Sequence, residues 1–185
     1  MKRTNLTLAL AAALGLISAM PAHASEHTGW VYNGTTGEGS INEDGLKDNS
    51  LSSNPNIGYR WGSIGAELGY SFFSTFKDET VNGTLTIDTQ ARFKGWNAGA
   101  NFNHNLSDQW SLQARAGVFA WHMEGSVDDD VLAAVNFDDK GTNWYAGASI
   151  DYTWSKRASV GLGYSHYKAG STDLDLWGLH SEFRF

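Results

Sequence analysis

The chain contains no cysteine. A disulfide framework is therefore excluded, and stability has to come from backbone hydrogen bonding and from the solvent around the fold. Positive charge is scarce, with 13 Lys and Arg against 20 Asp and Glu. That balance denies the protein the basic face a nucleic-acid partner requires. Beyond the N-terminus no stretch is apolar enough for a membrane helix, and no segment sustains a helical period. What remains is a sequence of low mean hydropathy that is nonetheless rich in aromatics, with 8 Trp, 7 Tyr and 9 Phe.

The N-terminus has the layout of a secretory signal. Lys2 and Arg3 precede an apolar run from Leu6 to Ala19, and Ala22-His23-Ala24 places cleavage before Ser25. The run is shorter than the ~20 residues of a membrane-spanning helix. Residues 1–24 are thus expected to be removed, leaving one domain over 25–185. Without Lys2 and Arg3 the balance is 11 basic against 20 acidic residues, a net charge of −9.

Eight segments then alternate with a period of two, which is the mark of strands with two unlike faces. They run from His27 to Thr35, Asn56 to Trp61, Ile64 to Phe76, Ala91 to Asn105, Gln109 to Glu124, Thr142 to Trp154, Ala158 to Lys168 and Leu174 to Phe185. In the third, Ile64, Ala66, Leu68, Tyr70 and Phe72 oppose Gly65, Glu67, Gly69 and Ser71. In the last, Trp177, Leu179, Ser181 and Phe183 oppose Leu176, Gly178, His180, Glu182 and Arg184. One row suits lipid and the other a polar interior. The fold class predicted is all-β, an eight-stranded antiparallel up-and-down transmembrane β-barrel.

Turns after the second, fourth and sixth segments are short, whereas 36–55, 77–90 and 125–141 read as long loops and 169–173 as a briefer one. Barrels of the bacterial outer membrane keep short turns in the periplasm and long loops outside, so both termini are expected to be periplasmic. The long loops hold Glu43, Asp44, Asp48, Asp128, Asp129, Asp130, Asp138 and Asp139. A soluble lipocalin-type barrel also has eight strands, but it buries its apolar row around a pocket. Here Glu67, Arg115 and Asp151 share a face with the glycines, which favours the polar row inside.

Three stretches carry a resemblance: Ile64-Gly65-Ala66-Glu67-Leu68-Gly69-Tyr70, the segment from Trp110 to Trp121 around Leu112-Gln113-Ala114-Arg115-Ala116-Gly117, and Glu182-Phe183-Arg184-Phe185 at the terminus. With the signal peptide, they resemble the small eight-stranded outer-membrane barrels of the OmpA and OmpX type. The resemblance implies a lumen filled by side chains, with Glu67, Arg115 and Asp151 at interior charged positions. It implies recognition by the barrel-assembly machinery through Phe183 and Phe185, although the nearest glycine ahead of them is Gly178. The sequence stops at Phe185, so the peptidoglycan-binding domain of longer relatives, and a cell-wall tether, are not expected.

The residues assigned to an interior charge network are Arg60, Glu67, Arg115, Asp151, Glu182 and Arg184. Eight strands leave room for side chains and little else, so the network reads as a plug rather than a pore. His166 and the adjacent Ser165 raise a lipid A-modifying enzyme as an alternative, but neighbours on a strand point to opposite faces, and Lys168 stands where a serine two positions on would be expected. His104, His122 and His180 show no ligand spacing, and Asp128-Asp129-Asp130 lacks that of a calcium loop, so no metal site, cofactor or catalytic residue is assigned. Acidic loops beside anionic lipopolysaccharide can still share bridging divalent cations. The expected protein is a monomeric, non-enzymatic outer-membrane barrel in contact with lipid and lipopolysaccharide, with an extracellular ligand for its loops and no nucleic-acid partner. A narrow channel of low conductance is the other alternative.

Overall fold

The structure, a computed structural model, describes residues 28–42, 49–82, 85–129 and 132–185, and within these the side chains outside 42, 77–89 and 127–137. The expected signal segment, Glu43, Asp44 and Asp48 lie outside the described residues, as do the side chains of the run 128–130.

Nine strands form one antiparallel sheet: β1 (Thr28–Asn42), β2 (Asn49–Ser53), β3 (Asn56–Trp61), β4 (Ile64–Asn82), β5 (Leu85–Asn105), β6 (Trp110–Asp129), β7 (Leu132–Ser155), β8 (Ala158–Ala169) and β9 (Thr172–Arg184). The sheet closes on itself because β1 pairs with β9 from Val31↔Arg184 to Asn42↔Asp173. Closure pairs both sides of the spanning staves, so their backbone donors and acceptors are satisfied without water; farther out, among the described residues, β4 has no β2 partner past Phe73 and β7 has no β8 partner before Tyr145.

Nine strands make eight staves. β2 and β3 both pair with β1 and both pair with β4, and they are one stave interrupted at Asn54-Pro55. Pro55 brings no N–H to a ladder, and the Asn54 side chain repairs the gap: its Oδ1 accepts the Thr35 N–H at 2.7 Å, while Asn54 N–H donates to the Thr35 carbonyl at 3.0 Å.

The segments read as long loops are largely strand. β4 and β5 stay paired out to Asn82↔Leu85, and β6 and β7 out to Asp129↔Leu132. Most of 77–90 and 125–141, and 36–42 with 49–53 of the first loop, therefore continue the barrel wall. Only the β8–β9 turn, with Gly170 at φ 61°, stays as short as expected.

On the outer wall an apolar band of Ala, Leu and Ile separates two aromatic girdles. At the end carrying the short turns, Trp30 meets Tyr59 edge-on at 5.5 Å and Trp110 meets Tyr152 at 5.3 Å. At the other end Tyr70 packs against Trp96 at 5.2 Å, with Trp144 and Trp177 exposed farther round. On β7 eight residues separate Tyr152 from Trp144, which at the usual rise and tilt is about 20 Å of height. β7 starts twelve residues beyond Trp144, so the far hairpins rise about 30 Å past the girdle.

Every inner row tightens around close backbone approaches. A Cβ on Gly117 would meet the Ala98 carbonyl oxygen at 2.1 Å and Gly99 Cα at 2.5 Å, so glycine there sets how near β5 and β6 come. Ala158, first residue of β8, is buried beside the register shift between Thr153 and Ser155.

Candidate functional site

The lumen is filled in layers. Nearest the short turns, Glu182 is the acceptor for four donors: Arg60 Nη1 and Nη2 at 2.9 and 2.7 Å, Gln113 Nε2 at 2.8 Å and Arg184 Nε at 2.8 Å. Arg184 Nη2 also donates to Ser159 at 2.8 Å. Arg60 is 0 % and Glu182 2 % exposed, and the two-point guanidinium–carboxylate geometry is the form that best repays desolvation. Beside it Asp151 accepts from the Ser149 hydroxyl at 2.7 Å and lies 2.7 Å from His180 Nδ1.

In the next layer the charged groups are held by neutral ones. Glu67 accepts from the Tyr145 hydroxyl at 2.9 Å and Asn101 Nδ2 at 3.0 Å, and Arg115 donates to Ser165 at 2.8 Å. The six residues expected to form one network thus occupy four groups: Arg60, Glu182 and Arg184 together, Asp151 with His180, Glu67 with Tyr145 and Asn101, and Arg115 with Ser165. Alternation places His180 on the inner row but does not supply its pairing with Asp151, because that partner comes from another strand.

Above this layer the interior changes character. Tyr167 stands at the junction: its hydroxyl accepts from Asn54 Nδ2 at 2.7 Å and lies 3.0 Å from the Ser71 hydroxyl, while its ring packs on Phe119 at 4.9 Å and on Phe73 and Tyr145 at 5.5 Å. Phe76, Phe93, Leu174 and Leu176 continue the cluster, and Trp121 covers it. Trp121 Nε1 donates to Asn143 Oδ1 at 2.7 Å, and the same oxygen accepts the Gly170 N–H at 2.9 Å. The expectation of a polar inner row along the whole barrel is corrected here. Among the described side chains, the inner face just beyond the girdle is largely apolar, because strands that continue out of the membrane need a dry core of their own.

The outer wall beyond the far girdle is charged. Phe72, Lys94, His122 and Lys140 are successive partners across β4, β5, β6 and β7, one row past Tyr70 and Trp96; Arg92, Glu124 and Asp138 form the row after it. His122 Nε2 lies 2.8 Å from Asp138 and 3.4 Å from Glu124, and the three ligand atoms lie within 4.8 Å of one another. Such a set can hold a divalent cation, in competition with Lys94, whose ammonium donates to Glu124 at 2.7 Å. That bond, foremost, holds the Glu124 carboxyl below the usual carboxylate range. Spacing offered His122 no such partner because Asp138 sits across a strand pair in a segment read as loop.

Ser165 and His166 point apart. Ser165 is buried against Arg115 and Asn54, whereas His166 faces outward, its Nδ1 2.8 Å from Asp175 and its ring 5.1 Å from that of Trp144. They do not form a nucleophile and base. Phe183 and Phe185 lie exposed on the outer wall at the end bearing the short turns, where the Phe185 N–H still donates to Trp30 at 2.9 Å.

The family described as outer membrane protein beta-barrel domain matches residues 9–185. No curated protein matches the sequence. Among solved structures, the chain is similar to Ail, the attachment invasion locus protein of Yersinia pestis, with a TM-score of 0.60 and 17 % identity over 86 % of this chain and 100 % of that one. The same protein in complex with the heparin analogue sucrose octasulfate gives a TM-score of 0.58 at 16 % identity, with 86 % and 100 % covered. Neisserial surface protein A gives a TM-score of 0.58 at 12 % identity over 85 % of this chain and 98 % of that one.

Proposed function

The chain belongs to the outer-membrane β-barrel domain family, and from that membership we propose that it is a non-catalytic surface protein whose far hairpins are its binding surface. The observation that carries this reading is the ladder of β4 to β7, which runs on beyond the girdle to Asn82↔Leu85 and Asp129↔Leu132. Residues carried on paired strand cost less to order on binding than residues on an irregular loop. Ail, similar in fold, carries a sulfated sugar in one structure, and an extracellular ligand for the hairpins of this chain is the corresponding proposal.

In the same reading, residues 1–24 are the export signal, the termini and short turns face the periplasm, and Phe183 and Phe185 guide insertion by the assembly machinery. The protein acts as a monomer in contact with lipopolysaccharide. The layered lumen supports a plug rather than a channel, and the opposed faces of Ser165 and His166 argue against lipid A modification.

Protease treatment of intact cells tests the reading. Cleavage confined to the far hairpins, with the barrel core retained, is expected; resistance on intact cells together with cleavage from the periplasmic side overturns the orientation. Planar-bilayer recordings of the purified protein are expected to be silent, and a steady ion-selective current refutes the plug.

A further inference from the structure

On the outer wall, one row past the far girdle, a groove of about 310 Å³ lies between the tip of β2 and the pair β4–β5. It exists because the β4–β5 register slips between Phe73 and Phe76, so that the wall opens around Ser74 and Arg92. Leu51 and Phe72 line it as exposed apolar groups, and Arg92 and Lys94 form its charged side. Arg92 gives one donor to the Thr75 hydroxyl at 3.2 Å and is otherwise exposed; Lys94 has its Glu124 contact and keeps two further N–H groups.

We propose that this groove seats one molecule of lipid A, with a phosphate on Arg92 and Lys94 and an acyl chain along Leu51 and Phe72. The inference rests on the orientation given above, which puts this end in the outer leaflet. Three features select the occupant. Arg92 and Lys94 outnumber the one carboxylate beside them, Glu124, and a guanidinium beside an ammonium suits a phosphate. The apolar side runs through Tyr70 into the lipid-facing band, so the ligand has an acyl portion, which a soluble phosphate lacks. The groove sits one row beyond the aromatics that mark the interface, which is headgroup depth.

The test is native mass spectrometry of the full-length mature protein in detergent, titrated with bisphosphorylated lipid A, dephosphorylated lipid A or phosphatidylglycerol. One bisphosphorylated lipid A is expected to be retained, with affinity falling on the order of tenfold or more for the dephosphorylated lipid and for the R92Q/K94Q variant. L51N is expected to weaken binding as well, and R157Q, a cation at the opposite end, to leave it unchanged. Heat-modifiable gel mobility verifies that each variant is folded. Equal retention of dephosphorylated lipid A, or of the R92Q/K94Q variant, refutes the site; phosphatidylglycerol binding as tightly as lipid A refutes the occupant.

A separate arm tests the orientation. D139C is the only thiol in the chain and is expected to react with a membrane-impermeant maleimide on intact cells. Labelling without lipid A binding removes this proposal and leaves the surface reading; absence of labelling overturns the orientation and the lipid A assignment with it.

Discussion

Replacing Glu182 by glutamine tests whether the lumen is held by charge. Glu182 takes four donors, and Arg60 behind it is 0 % exposed. Glutamine keeps the shape of the side chain but removes the charge and turns one acceptor into a donor that faces the Arg60 fork. Arg60 is then a buried guanidinium without a counter-charge, while Arg184, 14 % exposed, retains Ser159 and access to water. Breaking one partner of a buried pair costs about 3–5 kcal/mol. With a urea slope of about 2 kcal/mol/M, a loss of about 4 kcal/mol lowers the midpoint by about 2 M. The assay is urea unfolding in lipid vesicles, followed by tryptophan fluorescence and by heat-modifiable mobility. The double variant Arg60→Met/Glu182→Met, which removes both charges and fills the space, is expected to recover most of the loss. A single variant within about 1 kcal/mol of the parent, below the range for a broken buried pair, or a double variant no better than the single one, refutes the reasoning.

Three further perturbations probe other levels. Tyr167→Phe keeps the ring contacts to Phe73, Phe119 and Tyr145 but leaves Asn54 Nδ2 only its longer 3.3 Å bond to Ser165, and is expected to cost about 1 kcal/mol in the same unfolding assay. Gly117→Val drives a side chain into the β5 backbone and is expected to abolish the compact gel form, whereas Val118→Leu, one residue on and facing outward, retains it. Lys94→Gln is expected to move the Glu124 midpoint up toward the ordinary carboxylate value in carboxyl NMR titrations. Because the folded-state value is depressed, the Lys94–Glu124 contact contributes above the carboxylate range and is lost as pH falls through it; an unchanged midpoint shows that the contact is not formed.

Alternation made the spanning parts of the wall legible. From Ile64 to Phe72 and from Trp144 to Tyr152, lipid on one side and a packed lumen on the other force unlike faces, and the period of two follows. The same rule failed at Asp138, Asp139 and Lys140, which lie on paired strand although three charged residues follow one another. Past the girdle water bathes the outer face, and the inner face need not be polar, so both constraints that write the pattern disappear. Arg60, Glu67, Arg115, Asp151, Glu182 and Arg184 could be assigned to the interior by parity, but not to their partners. Whether Asp151 meets His180 or an arginine depends on strand tilt and register across the lumen, which no local window contains.

The two fillings of the lumen act as locks with different keys. A hydrated ion arriving from the short-turn end can exchange water for the carboxylates and guanidiniums of the first layer, but must then shed the rest of its shell among Phe73, Phe93 and Phe119. An apolar solute entering from the far mouth mixes readily with those rings and is stopped by the Arg60–Glu182 pair. On the plug reading proposed above, neither traveller passes by defeating a single layer. Mutations that weaken one lock should therefore show up as lost resistance to urea long before they show up as leakage, and permeability can stay fixed while stability drifts.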